Sequence, residues 1–264
     1  MTPPDKSMDA EERSRDHVTS LERGLAVLAI LADHPSGLTL TEVAERAGLT
    51  RAGARRLLLT LSATGHAEQH GRRFLLTSRL LSLARTWISG FTLWSYAEPI
   101  MREVADTLNE SCSAAILADQ DVVYMARVAG ERIISISLHV GTRLPAYCTS
   151  MGRVLLSGLP EEELEAFLAR APITARTART ITDRGIVAER VAAARRDGYA
   201  LVDEELEIGL RSIAVPVHDR SGRIVAAINV PTQSARCDVE TMKRDFLPVL
   251  RSAATRIEHY FAVQ

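Results

Sequence analysis

Three arginines, Arg51, Arg55 and Arg56, are interleaved with Ala54, Leu57, Leu58 and Leu61, apolar residues that recur at helical spacing. Guanidinium groups on the polar side of a short amphipathic helix suit two partners, phosphate oxygens and the acceptor edge of guanine. His70, Arg72 and Arg73 follow around Gly71. Between Arg46 and Arg85 the chain carries eight arginines against one acidic residue, Glu68, a balance of 8 − 1 = +7 within a 264-residue protein of net charge −1. A basic segment on a slightly acidic body is the charge plan of a double-stranded-DNA-binding module joined to a sensing or assembly domain. Lysine is scarce, 2 against 30 arginines, which codon usage in a GC-rich genome explains for the most part.

A second cluster suits an anion. If Thr149 caps a helix, the amides of Ser150, Met151 and Gly152 point outward at an end where partial positive charge gathers, and Gly152 permits close approach. Arg143, just upstream, offers a bidentate partner to a carboxylate, and Tyr147 and Met151 can flank a ring. On the residues alone the plainer alternative is favoured: Thr149 caps a structural helix and Tyr147 is core.

The elements that must position these groups can be read from capping signals and periodicity. Residues 1–17 are polar and proline-bearing and read as a disordered tail. Thr19 with Glu22 has capping-box spacing before Leu21, Leu25, Leu28 and Ala32. A second box, Thr39 with Glu42, opens a short helix stopped by Gly48, and Thr50 caps the arginine helix. Two short helices joined through Ala47-Gly48-Leu49-Thr50 give a helix-turn-helix, with Thr39, Thr41, Thr50 and Arg51 at the helix starts that meet DNA. Leu59 lies off the apolar stripe and is assigned to the wing or a partner subunit. The stretch from Gly65 to Leu75 reads as a hairpin about Gly71, a wing tipped by His70, Arg72 and Arg73. Residues 18–77 form this module, and 78–110 an apolar helical linker suited to a dimer seam, since such modules read paired half-sites.

From residue 111 the period shortens. Strands are expected at Ser113–Ala118, Val122–Val128, Arg132–Val140, Arg211–His218 and Arg223–Val230. Helices are expected after Thr149, from Pro160, from Asp183 to Gly198 with Ile186, Val187, Val191 and Ala194 inward, and from Asp238. The fold class is therefore α+β multidomain, with helices covering an antiparallel sheet in the C-terminal domain, residues 111–264.

Over residues 18 to 262 this layout resembles the IclR-type family of bacterial regulators. The resemblance rests on Glu22-Arg23-Gly24-Leu25-Ala26-Val27-Leu28, Leu40-Thr41-Glu42-Val43-Ala44, Thr149-Ser150-Met151-Gly152-Arg153-Val154-Leu155-Leu156, and Asp203-Glu204-Glu205 followed by Gly209-Leu210-Arg211-Ser212-Ile213-Ala214-Val215-Pro216-Val217. The wording from Tyr147 to Arg153 and the Glu-Leu-Glu stretch before Gly209 resemble the branch regulating β-ketoadipate-pathway genes, which responds to aromatic acids such as protocatechuate and 4-hydroxybenzoate or to pathway intermediates. The resemblance implies a winged helix-turn-helix, a GAF-like effector domain, homodimers or homotetramers on DNA, and a small organic acid as signal. It places effector contacts at Ser150, Met151, Gly152, Asp203, Ser212 and Asn229, where Ser212 and Asn229 replace residues that differ among relatives and the altered spacing before Gly209 affects Asp203. With the family in view, the pocket reading of the Thr149 segment is favoured.

Other classes fit less well. No G-x-S-x-G, H-E-x-x-H, phosphate-binding loop or G-x-G-x-x-G is present, so no enzyme is expected, and no cofactor or metal. Cys112, Cys148 and Cys237 are widely spaced and fit a reducing cytoplasm. Cys148 beside a helix start leaves a thiol-based redox sensor as an alternative, as is an IclR-type regulator of another pathway answering to a short 2-oxo acid. No membrane-spanning stretch is expected.

Overall fold

The computed structural model describes residues 18–80, 92–130 and 138–263, and the chain divides into two compact units, Met1–Gly90 and Phe91–Gln264. In the first unit, α1 (Thr19–Ala32), α2 (Leu40–Arg46) and α3 (Arg51–Ala63) pack beside a three-stranded antiparallel sheet. Its strands are β1 (Leu38–Thr39), β2 (Ala67–His70) and β3 (Arg73–Leu76), in the order β1-β3-β2. Val27, Leu31, Val43, Ala44, Ala54, Leu58 and Phe74 form the core. The capping box at Thr39 is complete: Glu42 N–H donates to Thr39 Oγ1 while the Glu42 carboxylate accepts from Thr39 N–H at 2.7 Å. Those bonds hold the Glu42 carboxyl below the usual carboxylate range. Thr50 caps α3 through Gly53 N–H at 3.1 Å.

The start of α1 differs from expectation. Val18 occupies the N-cap position and no side chain caps it, so Thr19 with Glu22 is not a capping box. Leu21 and Leu25 are exposed while Val27 and Leu31 are buried. The run Leu25–Ala32 is apolar on nearly every side, so periodicity alone does not choose the inward face.

In the second unit, α4 (Thr92–Leu108) leads into a six-stranded sheet, antiparallel throughout, in the order β6-β5-β4-β9-β8-β7. Its strands are β4 (Cys112–Ala118), β5 (Asp121–Val128), β6 (Arg143–Pro145), β7 (Ala200–Asp203), β8 (Leu210–His218) and β9 (Ile224–Gln233). Side chains alternate across a strand, and the two faces differ in size. Ile213, Val215, Val217, Ile228 and Val230 face α4 and the terminal helix α9 (Leu247–Val263), which follows the one-turn α8 (Val239–Thr241) and a π-helical stretch, Met242–Phe246. Ala115, Ala214 and Ala227 face α5 (Ser150–Ser157) and α7 (Arg184–Asp197); α6 (Glu161–Arg170) lies between these helices in sequence and joins the same core through Phe167 and Leu168. Alanines on that face let α5 lie close to the sheet.

Several expectations shift. Trp94, Ala97, Ile100, Met101, Val104 and Ala105 of α4 are buried in the second unit's core rather than displayed as a seam. Trp87 and the rest of 81–91 lie outside the described residues, as do 131–137, most of the expected strand Arg132–Val140. The next described strand, β6, lies beyond the expected bounds and pairs with β5, Val123 opposite Arg143. Ile186 is exposed, because the buried stripe of α7 runs through Val187, Val191 and Ala194.

Candidate DNA-binding face and effector cavity

A cleft on the first unit is lined by Thr39, Leu40, Thr41, Arg51, Arg55, Leu59, Gln69, Arg72 and Phe74. Arg51, Arg55 and Leu59 are four residues apart on α3 and therefore share a face; Thr41 on α2 and Gln69 and Arg72 on the hairpin complete the rim. Among the described residues no carboxylate pairs with Arg51, Arg55, Arg56 or Arg72, so these cations are available to a polyanion. Leu59, whose exposure periodicity did not account for, faces this cleft, as does Gln69, which sequence reasoning missed.

Four expected contacts lie outside this lining. Arg73 donates from Nη1 to Gly37 O at 2.7 Å and lies 3.8 Å from Glu42, tying β3 to the turn before β1. His70 sits 3.1 Å from Glu68 on the same strand. Arg56, one residue off the Arg51–Arg55 line, is exposed but does not line the cleft. Thr50 caps α3 and also lies outside the cleft lining.

In the second unit, α5 begins over the alanine face of the sheet, and its first residues border a cavity of about 520 Å³ including its mouth. Its walls are Leu138, Met151, Val202, Leu206, Leu210 and Pro231; Tyr124, Cys148, Thr149, Ser150, Ser212 and Asn229 complete it. Ser150 Oγ lies 2.7 Å from Ser212 Oγ, which also accepts from Asn229 Nδ2 at 2.9 Å. Asn229 Oδ1 is buried and has no hydrogen-bond partner among the described residues, an acceptor left open to a donor. Among the described residues the lining holds no Lys, Arg, His, Asp or Glu, so of the described groups the positive pole of the α5 start is the cavity's principal attraction for an anion.

Half of the expected effector residues line this cavity: Ser150, Met151, Ser212 and Asn229. Arg143 does not, since its guanidinium is engaged by Asp121 at 3.0 Å, Asp119 at 3.3 Å and Ala118 O. Tyr147 is buried and donates its hydroxyl to Thr174 O at 2.7 Å, the core role its alternative reading gave it. Asp203 pairs with Arg211 at 2.8 Å and Arg179 at 3.6 Å. Gly152 has its N–H bound by the Thr149 cap at 3.2 Å. A Cβ there would lie 2.0 Å from Ala146 O, so this glycine admits the preceding turn rather than a ligand. The amides left for an anion are those of Ser150 and Met151. Tyr124, Leu138, Val202, Leu206, Leu210 and Pro231 were missed; they come from four separate segments and, Leu210 apart, lie outside the motifs that carry the resemblance.

The thiols are not activated. Burial pushes Cys148 up to about 11 and Cys112 to about 12, and it raises Cys237 as well. At Cys148 this outweighs the helix start beside it.

A winged helix-turn-helix with a cationic cleft, and a separate α/β unit enclosing an apolar-walled cavity, define the class of ligand-controlled DNA-binding regulators. Models of the IclR helix-turn-helix domain and of the bacterial transcriptional regulator IclR C-terminal domain match residues 20–71 and 86–259. The chain belongs to the IclR family, and it is a DNA-binding transcriptional regulator. It is 40% identical to the Pca regulon regulatory protein of Pseudomonas putida, over 97% of this chain and 88% of that protein. It is 33% identical to the p-hydroxybenzoate hydroxylase transcriptional activator of Acinetobacter baylyi, over 94% of each. The resemblance to the β-ketoadipate-pathway branch therefore holds. The crystal structure of an IclR homologue from Microbacterium hydrocarbonoxydans complexed with 4-hydroxybenzoate superposes with a TM-score of 0.82 at 26% identity, covering 93% of this chain and all of that one. Among the described residues, no helix is long and apolar enough to cross a membrane.

Proposed function

We propose that this regulator controls genes of aromatic-acid breakdown and that its effector is an aromatic monocarboxylic acid, of the 4-hydroxybenzoate or protocatechuate type, held in the α5 cavity. The observation that carries this reading is the composition of the lining. Apolar walls suit a ring, a single helix start and two serine hydroxyls suit one carboxylate, and Asn229 Oδ1, unpartnered among the described residues, accepts from an O–H. A dianion would have to leave its second charge against walls that hold no cation among the described residues. The relatives' printed roles, and the 4-hydroxybenzoate complex of the M. hydrocarbonoxydans homologue, support the same choice.

In this reading the protein is a cytoplasmic homo-oligomer that reads paired half-sites, with 18–77 as the DNA module, 78–110 as the connector and 111–264 as the effector domain. It is a switch and not an enzyme, and its thiols are inert packing groups. The acid acts by binding one arrangement of the DNA modules better than the other, so its effect on operator affinity equals that difference.

A thermal-shift comparison tests the effector class. At a hundred times its Kd a one-site ligand stabilises by about 2.7 kcal/mol, which for a unit of this size raises Tm by roughly 5–11 °C. Such a shift with 4-hydroxybenzoate or protocatechuate, and none with an aliphatic dicarboxylate, is the expected result. A shift with the dicarboxylate alone would refute the assignment.

A further inference from the structure

One wall of the cavity is a loop. Between β7 and β8 the chain runs Glu204-Glu205-Leu206-Glu207-Ile208-Gly209, and Leu206 on this loop and Leu210 just after it line the cavity while Ile208 faces solvent. Apolar contact alone leaves such a segment free to lift. Glu205 interrupts that pattern: a carboxylate with only 7% of its side chain accessible, 2.7 Å from Nη2 of Arg153, which is 3% accessible.

Arg153 sits on α5, one turn beyond Ser150, and its Nε donates to Tyr147 O at 3.2 Å. The same Glu205 carboxylate accepts from Ile181 N–H at 3.1 Å. Two hydroxyls secure the loop's backbone, Thr177 Oγ1 donating to Glu204 O at 2.7 Å and Thr180 Oγ1 to Glu205 O at 2.6 Å. The guanidinium thus joins the helix that starts at the cavity, the turn before that helix and the loop that closes the cavity. A buried ion pair contributes little net stability against well-packed apolar residues, but it fixes geometry strongly, because either partner left alone is an uncompensated charge.

We propose that Arg153 and Glu205 are positioning residues that clasp the 204–209 loop over the effector, so that the acid leaves only when this loop releases from α5. The proposal rests on the reading of the α5 cavity as the effector site. It predicts that the clasp gates passage in both directions, because the ion pair closes the loop whether or not the acid is present and the acid passes only through an open loop.

The test uses the full chain with Glu205→Gln, which keeps the shape and the bond to Ile181 N–H but removes the charge, and Glu205→Ala, which removes both. Two readouts are taken. Stopped-flow with 4-hydroxybenzoate is expected to show release at least tenfold faster in Glu205→Gln and faster again in Glu205→Ala, with association accelerated in the same order. Hydrogen exchange without ligand is expected to speed up at residues 204–210 while the amides of Val215 and Ile228, deep in the sheet, stay as slow as in the parent. If Glu205→Ala does not fold, Glu205→Gln alone decides. Release and loop exchange within twofold of the parent overturn the proposal, and so does exchange that rises equally throughout the unit, which marks a merely structural pair. If the parent fails to bind 4-hydroxybenzoate, the effector assignment falls, and the exchange measurement, which needs no ligand, still decides the clasp.

Discussion

Arg72 and Arg73 are neighbours on the wing with opposite assignments, and replacing each with alanine separates DNA contact from scaffold. Arg72 borders the cleft with no carboxylate partner among the described residues, whereas Arg73 donates to Gly37 O at 2.7 Å and approaches Glu42. Each phosphate neutralised contributes about −0.9 to the slope of log K against log salt on B-DNA. Over the fourfold range from roughly 50 to 200 mM salt, one contact is therefore worth about 3.5-fold in affinity. Fluorescence anisotropy on an operator duplex is expected to show the slope reduced by about 0.9 per module for Arg72→Ala. Arg73→Ala is expected to keep the parent slope and to lower the stability of the winged module by about 1–2 kcal/mol, the worth of a lost charge-assisted bond in a half-exposed site. If both variants reduce the slope alike, or Arg73→Ala alone does, the assignment drawn from the cleft is wrong.

Gly152→Ala is expected to destabilise the second unit by about 3 kcal/mol or more, because its Cβ would fall 2.0 Å from backbone, which cannot give way as a side chain can; a variant that loses ligand at unchanged Tm would refute this. Ser212→Ala removes the hydroxyl that joins Ser150 to Asn229, and isothermal titration with 4-hydroxybenzoate should show affinity at least about tenfold weaker while operator binding without acid stays at parent level. Iodoacetamide at pH 8 should label Cys148 far more slowly in the folded than in the denatured chain, since burial holds the thiol up to about 11; rapid labelling would revive the redox alternative. The same raised thiols give a sign for alkaline stability. Above the unfolded thiol value near 9 the denatured chain loses protons that the native one keeps, so urea midpoints should fall as pH climbs from 9 through about 11.

Legibility in the sequence followed the physics of each signal. Capping at Thr39 and Thr50 is local, and both sites hold in the structure; Thr19 had the right residue types, but the helix begins one residue earlier. Long strands with bulky alternation, β8 and β9, could be read directly. Short β1, β6 and β7 could not, because two to four residues hold no period. At the cavity, Ser150, Met151, Ser212 and Asn229 were reachable through motif and resemblance. Arg143 was chosen for its charge and Asp203 through the resemblance, and each is engaged by a neighbour, Asp121 in one case and Arg211 in the other. Which cations remain unpaired depends on chain segments brought together by folding, so Arg72 and Arg73 were indistinguishable before the structure.

The alanine face beneath α5 has a consequence for how this architecture changes its guest. Ala115, Ala214 and Ala227 leave nothing to trim, and enlarging any of them would push the helix start away from the cavity it borders. The floor is therefore committed. A lineage adapting to a bulkier or differently substituted compound has to make its changes in the roof, at Leu206, Leu210 or Leu138, where shortening a side chain enlarges the chamber and leaves the helix start in place.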